Sequence, residues 1–386
     1  MENSGTPKLI ETPLAELHRA AGARMGMWFG AAQPDDFGDA REEQRFANES
    51  VALIDKTHRA YLTLTGPDRV RYLNAILTND IKNLAVGHST MSLLLNPQGR
   101  ILAEIDTHAL PDRLFCISYA MIREKLVGWL DKYIIMDDVT LTDETGKFGA
   151  LALEGPKTAE AVRELTASDF TAMPSASSPG ASSPSASSLD AAIRNPESGR
   201  SAIPCRLVCR SKTSAEFIVA RNDLPALWKI LQDTAKRFGG GPMGYTALSA
   251  QRLVQGVPWF GYDFGEKQIP HEAGLQNSHI SYTKGCYTGQ EIVERVRSRG
   301  QVNRQRIGLL FASGTQSVPP AGAPLTLDGA EAGYVTRAAK SFYPPAILAM
   351  GYARRESAGV GTVLDCSGGR ASVVNLPITG QPHQPV

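Results

Sequence analysis

The sequence predicts an α+β protein with a pseudo-repeated body followed by a small all-β unit. Residues 60–67 and residues 150–156 each read as a short alternating strand that ends in a Gly-Pro turn and leads into an amphipathic helix. Proline suits a first helical position because its missing N–H would be unpaired there in any case. Beyond residue 306, short strands alternate with Gly- and Pro-rich turns, and no helical pattern intervenes. This pattern is typical of a closed or sandwiched antiparallel unit.

The remaining elements follow from the two hydrophobic periods along the chain. Helices are predicted where apolar residues recur every three or four positions, and strands where they alternate. In chain order, the predicted helices cover 13–21, 122–133, 224–238 and 245–255, and the predicted body strands cover 92–95, 101–110, 114–119, 206–210 and 216–220. The predicted strands of the C-terminal unit cover 307–311, 325–327, 333–336, 347–352 and 373–376. We therefore expect a body over 1–305 and an antiparallel β unit over 306–386.

One segment of the body differs in composition from the rest. Residues 175–188 contain eight Ser, three Ala, two Pro and one Gly, so they offer almost nothing to bury. Such a segment cannot offset the entropy lost when it becomes ordered. We expect residues 171–200 to form a flexible surface loop or insertion, either tolerated or serving as a regulatory linker.

Composition and charge exclude several classes of protein. Forty Lys and Arg against 39 Asp and Glu leave a net charge of +1 over 386 residues, which excludes a uniformly basic nucleic-acid coat and an acidic tail. No run of 18 apolar residues is present, so no membrane-spanning helix is expected. The first 22 residues lack the basic start and apolar core of a secretory signal. The five cysteines show no disulfide framework, and a cytoplasmic location is predicted.

The densest candidate for chemistry is the segment 284–291, which reads KGCYTGQE. The two glycines that flank Cys286 and Tyr287 permit tight or left-handed backbone. Thr288 or Gly289 can cap a following helix, which places Cys286 a few residues before a helix N-terminus and close to Lys284. Both features favour the thiolate, and hence a nucleophilic or sulfur-handling role. A lone cysteine is otherwise most often inert.

Basic residues continue past this segment but leave their role open. Lys284 and five arginines between 295 and 306 form either a solvated helix face or a surface for an anionic small ligand or an RNA backbone. Cys205 and Cys209 lack His or Cys partners for a zinc site. His271 and His279 lie near the segment without metal-ligand spacing, so they are interpreted as structural or surface histidines. No metal site is predicted.

The segment 284–291 resembles the motif of the YgfZ-type folate-binding proteins, whose eukaryotic relatives act in iron–sulfur protein maturation. The resemblance continues on both sides of the motif, through 248–256 with Arg252, 261–263, 269–272, and then Arg295, 299–300 and Arg304. The N-terminal half is similar to the wider superfamily of the glycine-cleavage T-protein. That similarity rests on 12–18, 22–25, 53–55, 66–68, 77–80, Gly87 and 96–99, which follow in the family's order.

This resemblance implies a T-protein-like ring of two pseudo-repeated ferredoxin-like α/β units, a C-terminal antiparallel β-barrel and a central pocket for tetrahydrofolate. A mostly apolar cavity with a few convergent polar groups suits that ligand. Arg252 is expected to line the pocket or to pair with a carboxylate. Cys286 would be the working thiol, with Lys284 tuning it. The further cofactor-binding residues that the resemblance implies are Asn96, Tyr287, Gly289, Gln290 and Glu291.

Two departures from the T-protein pattern bear on mechanism. T-proteins carry an Asp-Asp pair where this chain has Ala103 and Glu104, so one carboxylate is lost and the other is longer. Glu104 is the candidate base, with a plain strand residue as the alternative. T-proteins also anchor the pterin with a Glu, and the corresponding stretch 212–215 holds no carboxylate. Classical aminomethyl transfer is therefore doubtful on this pattern.

Two functions from different classes follow from the resemblance. The leading hypothesis is a tetrahydrofolate-binding protein that supports assembly or repair of iron–sulfur clusters in client enzymes. Its expected partners are folate and those clients or their assembly factors, with a link to tRNA modification through an iron–sulfur enzyme and no direct nucleic-acid contact. The alternative is a folate-dependent aminomethyltransferase or methyltransferase of the T-protein type, which the N-terminal similarity and Glu104 favour.

Overall fold

The computed structural model describes residues 11–166, 185–193, 202–315 and 317–378. The α-helices of these segments are α1 (Ala15–Ala20), α2 (Ala40–Glu49), α3 (Arg69–Ile76), α4 (Arg123–Asp131), α5 (Thr158–Thr166), α6 (Leu224–Arg237), α7 (Tyr245–Val254) and α8 (Gln290–Arg299). No helix in the described part of the chain is long and apolar enough to cross a membrane.

The strands of the body form a hairpin and one large sheet. They are β1 (Arg24–Trp28), β2 (Ala31–Asp36), β3 (Ala52–Asp55), β4 (Arg59–Thr65), β5 (His88–Leu95), β6 (Ile101–Ala109), β7 (Leu114–Tyr119), β8 (Thr140–Asp143), β9 (Phe148–Glu154), β10 (Ser185–Ile193), β11 (Ile203–Ser211), β12 (Ser214–Ala220) and β13 (Gly241–Pro242). β1 pairs with β2, and the large sheet has the order β13-β3-β9-β12-β11-β10-β5-β6-β7-β4-β8.

This strand order contains the predicted repeat. The series β4-α3-β5-β6-β7-α4-β8 matches the series β9-α5-β10-β11-β12-α6-β13 element by element, and the two halves meet where β5 pairs with β10. The two Gly-Pro turns are equivalent as well. Gly66 and Gly155 both have positive φ, and a Cβ at either would lie within 2.4 Å of a backbone carbonyl oxygen. Only glycine fits at these two points, so the turn marks the repeat for a steric reason.

One prediction for the body is wrong in part. Residues 171–200 were expected to be a loop, but Ser185–Ile193 form β10, which pairs antiparallel with β11 over seven residues and with β5 over three. The repeat requires a strand here, because β10 is the counterpart of β5. Tertiary pairing therefore overrides a serine-rich composition. The rest of the predicted loop, apart from these nine residues, lies outside the described residues.

The C-terminal unit is a closed antiparallel barrel of six strands in the order β14-β17-β16-β15-β18-β19. They are β14 (Arg304–Phe311), β15 (Pro324–Leu327), β16 (Ala330–Phe342), β17 (Pro345–Arg354), β18 (Val363–Cys366) and β19 (Gly369–Val374). The barrel has an apolar interior of its own, and each half of the large sheet has a separate core with its helices. The predicted fold class is confirmed.

Candidate functional site

A cavity of about 510 Å³ lies against the inner face of the large sheet. Side chains from both halves of the sheet reach it, so the sheet curves around this space. Because alternate residues of a strand face the same side, six strands each present an inward polar group to the cavity. These are Arg59 (β4), Glu104 (β6), Tyr119 (β7), Glu154 (β9), Arg210 (β11) and Glu216 (β12). The opposite wall is built by Tyr245 and Arg252 of α7, the segment that carries Trp259 and His279, and Arg306 of β14.

One side of the cavity is aromatic. Phe29 stacks on the His58 imidazole with ring centroids 4.4 Å apart and on Tyr119 at 5.3 Å. Trp259 meets the Phe29 ring edge-on at 5.2 Å. Phe29 is one of two non-glycine residues with positive φ in the described chain, at +51°. The fold therefore imposes an uncommon backbone conformation in order to place this ring.

Glu104 faces the cavity and is held by two neighbours. Its Oε2 accepts a hydrogen bond from the Tyr119 hydroxyl at 2.7 Å, and its Oε1 accepts one from His279 Nε2 at 3.1 Å. The Ser278 hydroxyl lies 2.7 Å from His279 Nδ1. Glu104 thus lines the cavity with its side chain almost buried and both of its carboxylate oxygens engaged. Interpreting His279 as a merely structural or surface histidine misses this contact.

A second carboxylate lies at the floor of the cavity. Glu216 Oε2 accepts a hydrogen bond from Arg59 at 3.0 Å, while Glu216 Oε1 and Arg59 Nε have no partner among the described residues. Nearby, Arg210 pairs with the buried Asp106, whose Oδ1 is also unpartnered. The stretch 212–215, in which no carboxylate was found, is followed directly by Glu216, and Glu216 lines the cavity. Its position inward on β12, among apolar neighbours, was the available signal.

Ion pairs line the side of the cavity next to α7. Arg252 lines the cavity, as predicted, and its Nη2 lies 2.5 Å from both oxygens of Glu154. Lys56 Nζ lies 3.6 Å from the same carboxylate. Burial works against ionised Glu154, but the charges of Arg252 and Lys56 lower its pKa to about 2. Burial lowers the pKa of Lys56 to about 8. Five cations and three carboxylates line the cavity, so positive charge is in excess.

The loop 284–291 does not line this cavity. Cys286 is exposed, four residues before α8. Lys284 Nζ donates hydrogen bonds to the backbone carbonyls of Asn74 and Leu77, and its burial lowers its pKa to about 8. Tyr287 is buried in an apolar cluster, with its ring centroid 5.0 Å from Lys284 Nζ. The predicted helix after the loop is confirmed as α8, and Gly300 ends it in a left-handed conformation.

The other residues predicted to bind a cofactor here lie outside the cavity. A Cβ at Gly289 would lie 2.6 Å from the Asn96 carbonyl oxygen, so this glycine allows the loop to approach the β5–β6 turn. Asn96 Oδ1 accepts hydrogen bonds from the backbone of Gln98 and Arg100 within that turn. Gln290 accepts one from the backbone of Tyr287, and Glu291 is exposed. None of the four lines the cavity, because the motif packs on the outer end of the β5–β6 hairpin.

One segment connects the loop with the cavity. The Thr78 hydroxyl donates a hydrogen bond to the His279 carbonyl at 2.6 Å, and the Ser281 amide donates one to the Thr78 carbonyl. Lys284 binds the carbonyl of the preceding residue, Leu77. His279 and Lys284 are therefore tied to adjacent residues. No group of three or more His, Cys, Asp or Glu residues with metal-binding geometry occurs in the described ranges.

Comparison with known proteins gives consistent matches. The GCVT N-terminal domain family matches residues 14–179. An aminomethyltransferase from Herpetosiphon aurantiacus is 27% identical over 95% of this chain and 97% of its own length. One from Rubrobacter xylanophilus is 25% identical over 91% of this chain and 89% of its own. The crystal structure of aminomethyltransferase T from Bartonella henselae superposes with a TM-score of 0.81 at 22% identity, covering 96% of this chain and 98% of that one.

The fold is therefore shared with aminomethyltransferase T, and residues 14–179 resemble the GCVT N-terminal domain family. The segment matched by the T-protein family supplies His58, Glu104 and Glu154 to the cavity. Glu216 and Arg252 come from the part of the chain beyond that segment. The cavity is therefore assembled from both halves of the repeat.

Proposed function

We propose that the central cavity binds tetrahydrofolate and that the protein is a folate-dependent one-carbon transferase of the aminomethyltransferase type. The observation that carries this proposal is the placement of two carboxylates, Glu104 and Glu216, on the walls of one aromatic cavity. The aminomethyltransferases named above match this chain over nearly its full length and support the proposed reaction class.

The residues present fit tetrahydrofolate. A pterin ring presents adjacent N–H donors along one edge, and the Glu216 carboxylate lines the cavity as a hydrogen-bond acceptor. The Arg59 guanidinium beside it lines the cavity as a donor and suits a pterin acceptor atom. The aromatic wall suits the flat ring, and the volume lies within the range of small-molecule pockets. The excess of cations suits the glutamate tail of the ligand.

Glu104 is the residue that would accept and return a proton. When bound, the folate would supply the nitrogen atoms that carry the one-carbon unit. The Tyr119 hydroxyl and His279 Nε2 fix the orientation of the carboxylate, and Ser278 fixes the imidazole from behind. A carboxylate positioned in this way is a competent general base. The single Glu104 would then serve where T-proteins have two adjacent carboxylates.

A second candidate function rests on a different observation. Cys286 is exposed and close to Lys284, but it lies outside the cavity. A thiol in this position is accessible to another macromolecule while the cavity holds a ligand. This arrangement favours the hypothesis that the protein supports iron–sulfur clusters in client enzymes, with folate as its cofactor.

Anaerobic calorimetric titration with tetrahydrofolate tests the part that both functions share. We expect micromolar binding by the unmodified protein and at least about tenfold weaker binding by Glu216→Gln, which loses a charge-assisted hydrogen bond. Glu291→Gln is the matched control, because Glu291 is exposed and outside the cavity. No binding by the unmodified protein, or equal binding by Glu216→Gln, would contradict the proposed site.

Two further assays separate the candidates. Transfer of an aminomethyl group from a lipoyl-bound donor to tetrahydrofolate, lost in Glu104→Ala, supports the transferase. Folate binding without turnover, together with loss of iron–sulfur enzyme activity in cells that carry Cys286→Ala, supports the second function.

A further inference from the structure

His58 is a cavity residue to which the proposed reaction gives no role. It lies directly before β4, is 4% exposed and lines the cavity. Its backbone carbonyl accepts a hydrogen bond from the Ala120 amide at 2.9 Å, which ties it to the end of β7. Phe29 covers one face of its ring at 4.4 Å with nearly parallel planes. The imidazole is therefore held in one plane.

The tautomer of His58 follows from a single hydroxyl group. The Tyr245 hydroxyl lies 2.7 Å from the Asp55 backbone carbonyl oxygen and 2.8 Å from His58 Nδ1. A carbonyl oxygen can only accept, so the one proton of Tyr245 is donated to Asp55. The remaining short contact requires His58 Nδ1 to be the donor. In a neutral imidazole the other nitrogen, Nε2, then carries the lone pair.

His58 Nε2 faces space rather than protein. It has no hydrogen-bond partner among the described residues, and it is not one of their fully enclosed unpartnered atoms. A side chain that is almost wholly buried thus exposes one acceptor atom to the cavity. Since Nδ1 is engaged by Tyr245, this acceptor cannot turn away without breaking that contact.

The surroundings keep the ring uncharged. Burial lowers the pKa of His58 well below its ordinary value, and the nearby cations Arg59 and Lys56 act in the same direction. From the other packed elements, Tyr119 of β7 and Tyr245 of α7 face the ring. The Glu104 carboxylate does not contact the His58 imidazole directly; it binds the hydroxyl of Tyr119, whose ring packs against the imidazole. No carboxylate contacts the imidazole in the described chain, so nothing there offsets the cost of charging it.

We propose that His58 Nε2 is a fixed, uncharged hydrogen-bond acceptor that recognises the N–H groups of a reduced pterin ring, and that Tyr245 is the positioning residue that sets its tautomer. This inference rests on the proposed folate site. Glu216 is the acceptor for the donor edge that oxidised and reduced pterins share. The N–H groups at ring positions 5 and 8 are present only after reduction. An acceptor that never becomes a donor would therefore favour tetrahydrofolate over folic acid.

The tautomer can be measured without any ligand. In protein labelled with ¹⁵N-histidine, long-range ¹H–¹⁵N NMR spectra should show His58 as the Nδ1–H tautomer, unchanged between about pH 5.5 and 8. The His58→Asn variant assigns the signals by their disappearance. Tyr245→Phe should shift the population toward the Nε2–H tautomer. A protonated ring at pH 7, or an Nε2–H tautomer in the unmodified protein, would overturn the proposal.

Binding of two probes, tetrahydrofolate and folic acid, tests the specificity. His58→Asn keeps a donor near the Nδ1 position but has no acceptor at Nε2, and we expect it to weaken tetrahydrofolate binding about tenfold while leaving folic acid binding unchanged. His58→Gln, whose amide oxygen can reach the Nε2 position, should restore part of the preference. His271→Asn is the control, because His271 lies outside the cavity beside Tyr282.

The outcomes separate this inference from the function on which it rests. Equal weakening for both probes would reduce His58 to a packing role and overturn the inference alone. Failure of the unmodified protein to bind either probe would overturn the folate function itself, and with it the specificity role. Thermal melting of each variant identifies any that do not fold, in which case His58→Gln and Tyr245→Phe carry the test.

Discussion

The central cavity and the loop 284–291 are built in opposite ways. In the cavity, Glu104, Glu154 and Glu216 are almost buried, and each is held by a named partner. In the loop, Cys286 is exposed, while Lys284 and Tyr287 are engaged with backbone carbonyls and an apolar cluster. The cavity collects residues from Phe29 to Arg306, whereas the loop is contiguous. The sequence motif that drew attention first and the cavity lined by polar side chains are therefore at separate positions in this protein.

The largest expected effect is the difference in thiol reactivity between the loop and the apolar cores of the large sheet. Burial raises the pKa of Cys116, Cys205 and Cys209 to about 12, while Cys286 is exposed. A shift of that size lowers the thiolate fraction by about 10³ near pH 8, so Cys286 should be alkylated by iodoacetamide about 10³-fold faster than those three. Peptide mass spectrometry at short times measures this. Denatured protein, in which all should react alike, is the control, and early labelling of Cys205 would contradict the packing described.

One mutation in the cavity and one in the loop should affect the rate of aminomethyl transfer differently. Glu104→Ala should lower aminomethyl transfer at least about 10²-fold, because it removes the positioned general base. Cys286→Ala should leave the same rate nearly unchanged, because the thiol lies outside the cavity. Steady-state rates with a lipoyl-bound donor measure both. A comparable loss in Cys286→Ala would show that the loop takes part in the transfer.

Because the charges of the cavity are buried, neutralising one of them should lower the free energy of unfolding more than neutralising an exposed charge beside the loop. Glu154→Gln leaves the cations of Arg252 and Lys56 without their anion, and we expect it to lower the free energy of unfolding by about 2 kcal/mol. Glu291→Gln in α8 should change it by less than about 0.5 kcal/mol, because that side chain is exposed. Urea denaturation of both variants measures the contrast, and equal effects would refute it.

The smallest expected effect is the pH dependence of the difference in unfolding free energy between the unmodified protein and Glu154→Gln. The pKa of folded Glu154, about 2, lies below its ordinary value of 4.5. The carboxylate therefore stabilises the fold above pH 4.5, and this contribution is lost as the pH falls from 4.5 toward 2. The gap in unfolding free energy between the unmodified protein and Glu154→Gln should narrow over that range, by at most the about 2 kcal/mol that separates the two proteins above pH 4.5. A constant gap would mean that the charge of Glu154 does not matter.

Local patterns predicted much of the fold. The helices α4, α6 and α7 and the strands β6, β7 and β12 lie within a few residues of their predicted bounds, because each has a clear apolar period. The polar helix α2 and the short strands β3 and β8 were not predicted. The strand β10 was predicted as loop, since its serines carry no strand signal and only pairing with β5 and β11 orders it.

The candidate site was only partly predictable. Arg252 and Glu104 were expected to serve the ligand, and both line the cavity. His58, Glu216 and His279 were missed, because isolated polar residues on strands and loops give no pattern. Tyr287, Gly289, Gln290, Glu291 and Asn96 were expected to bind the cofactor, and none lines the cavity. The cytoplasmic location and the absence of direct nucleic-acid contact stay predictions.

The sequence by itself determined the repeated strand–turn–helix units and the all-β C-terminal unit. These features follow from the hydrophobic period and from glycines that no other residue can replace, both of which act within a few residues. The prolines of the two turns lie two residues before α3 and α5, not at the first helical position that the sequence predicted. Only the tertiary structure decided which polar groups share a cavity, since the curvature of an eleven-stranded sheet brings together residues far apart in the chain. It also carries the tautomer that we propose for His58, because that tautomer depends on where the single hydroxyl of Tyr245 finds its acceptor.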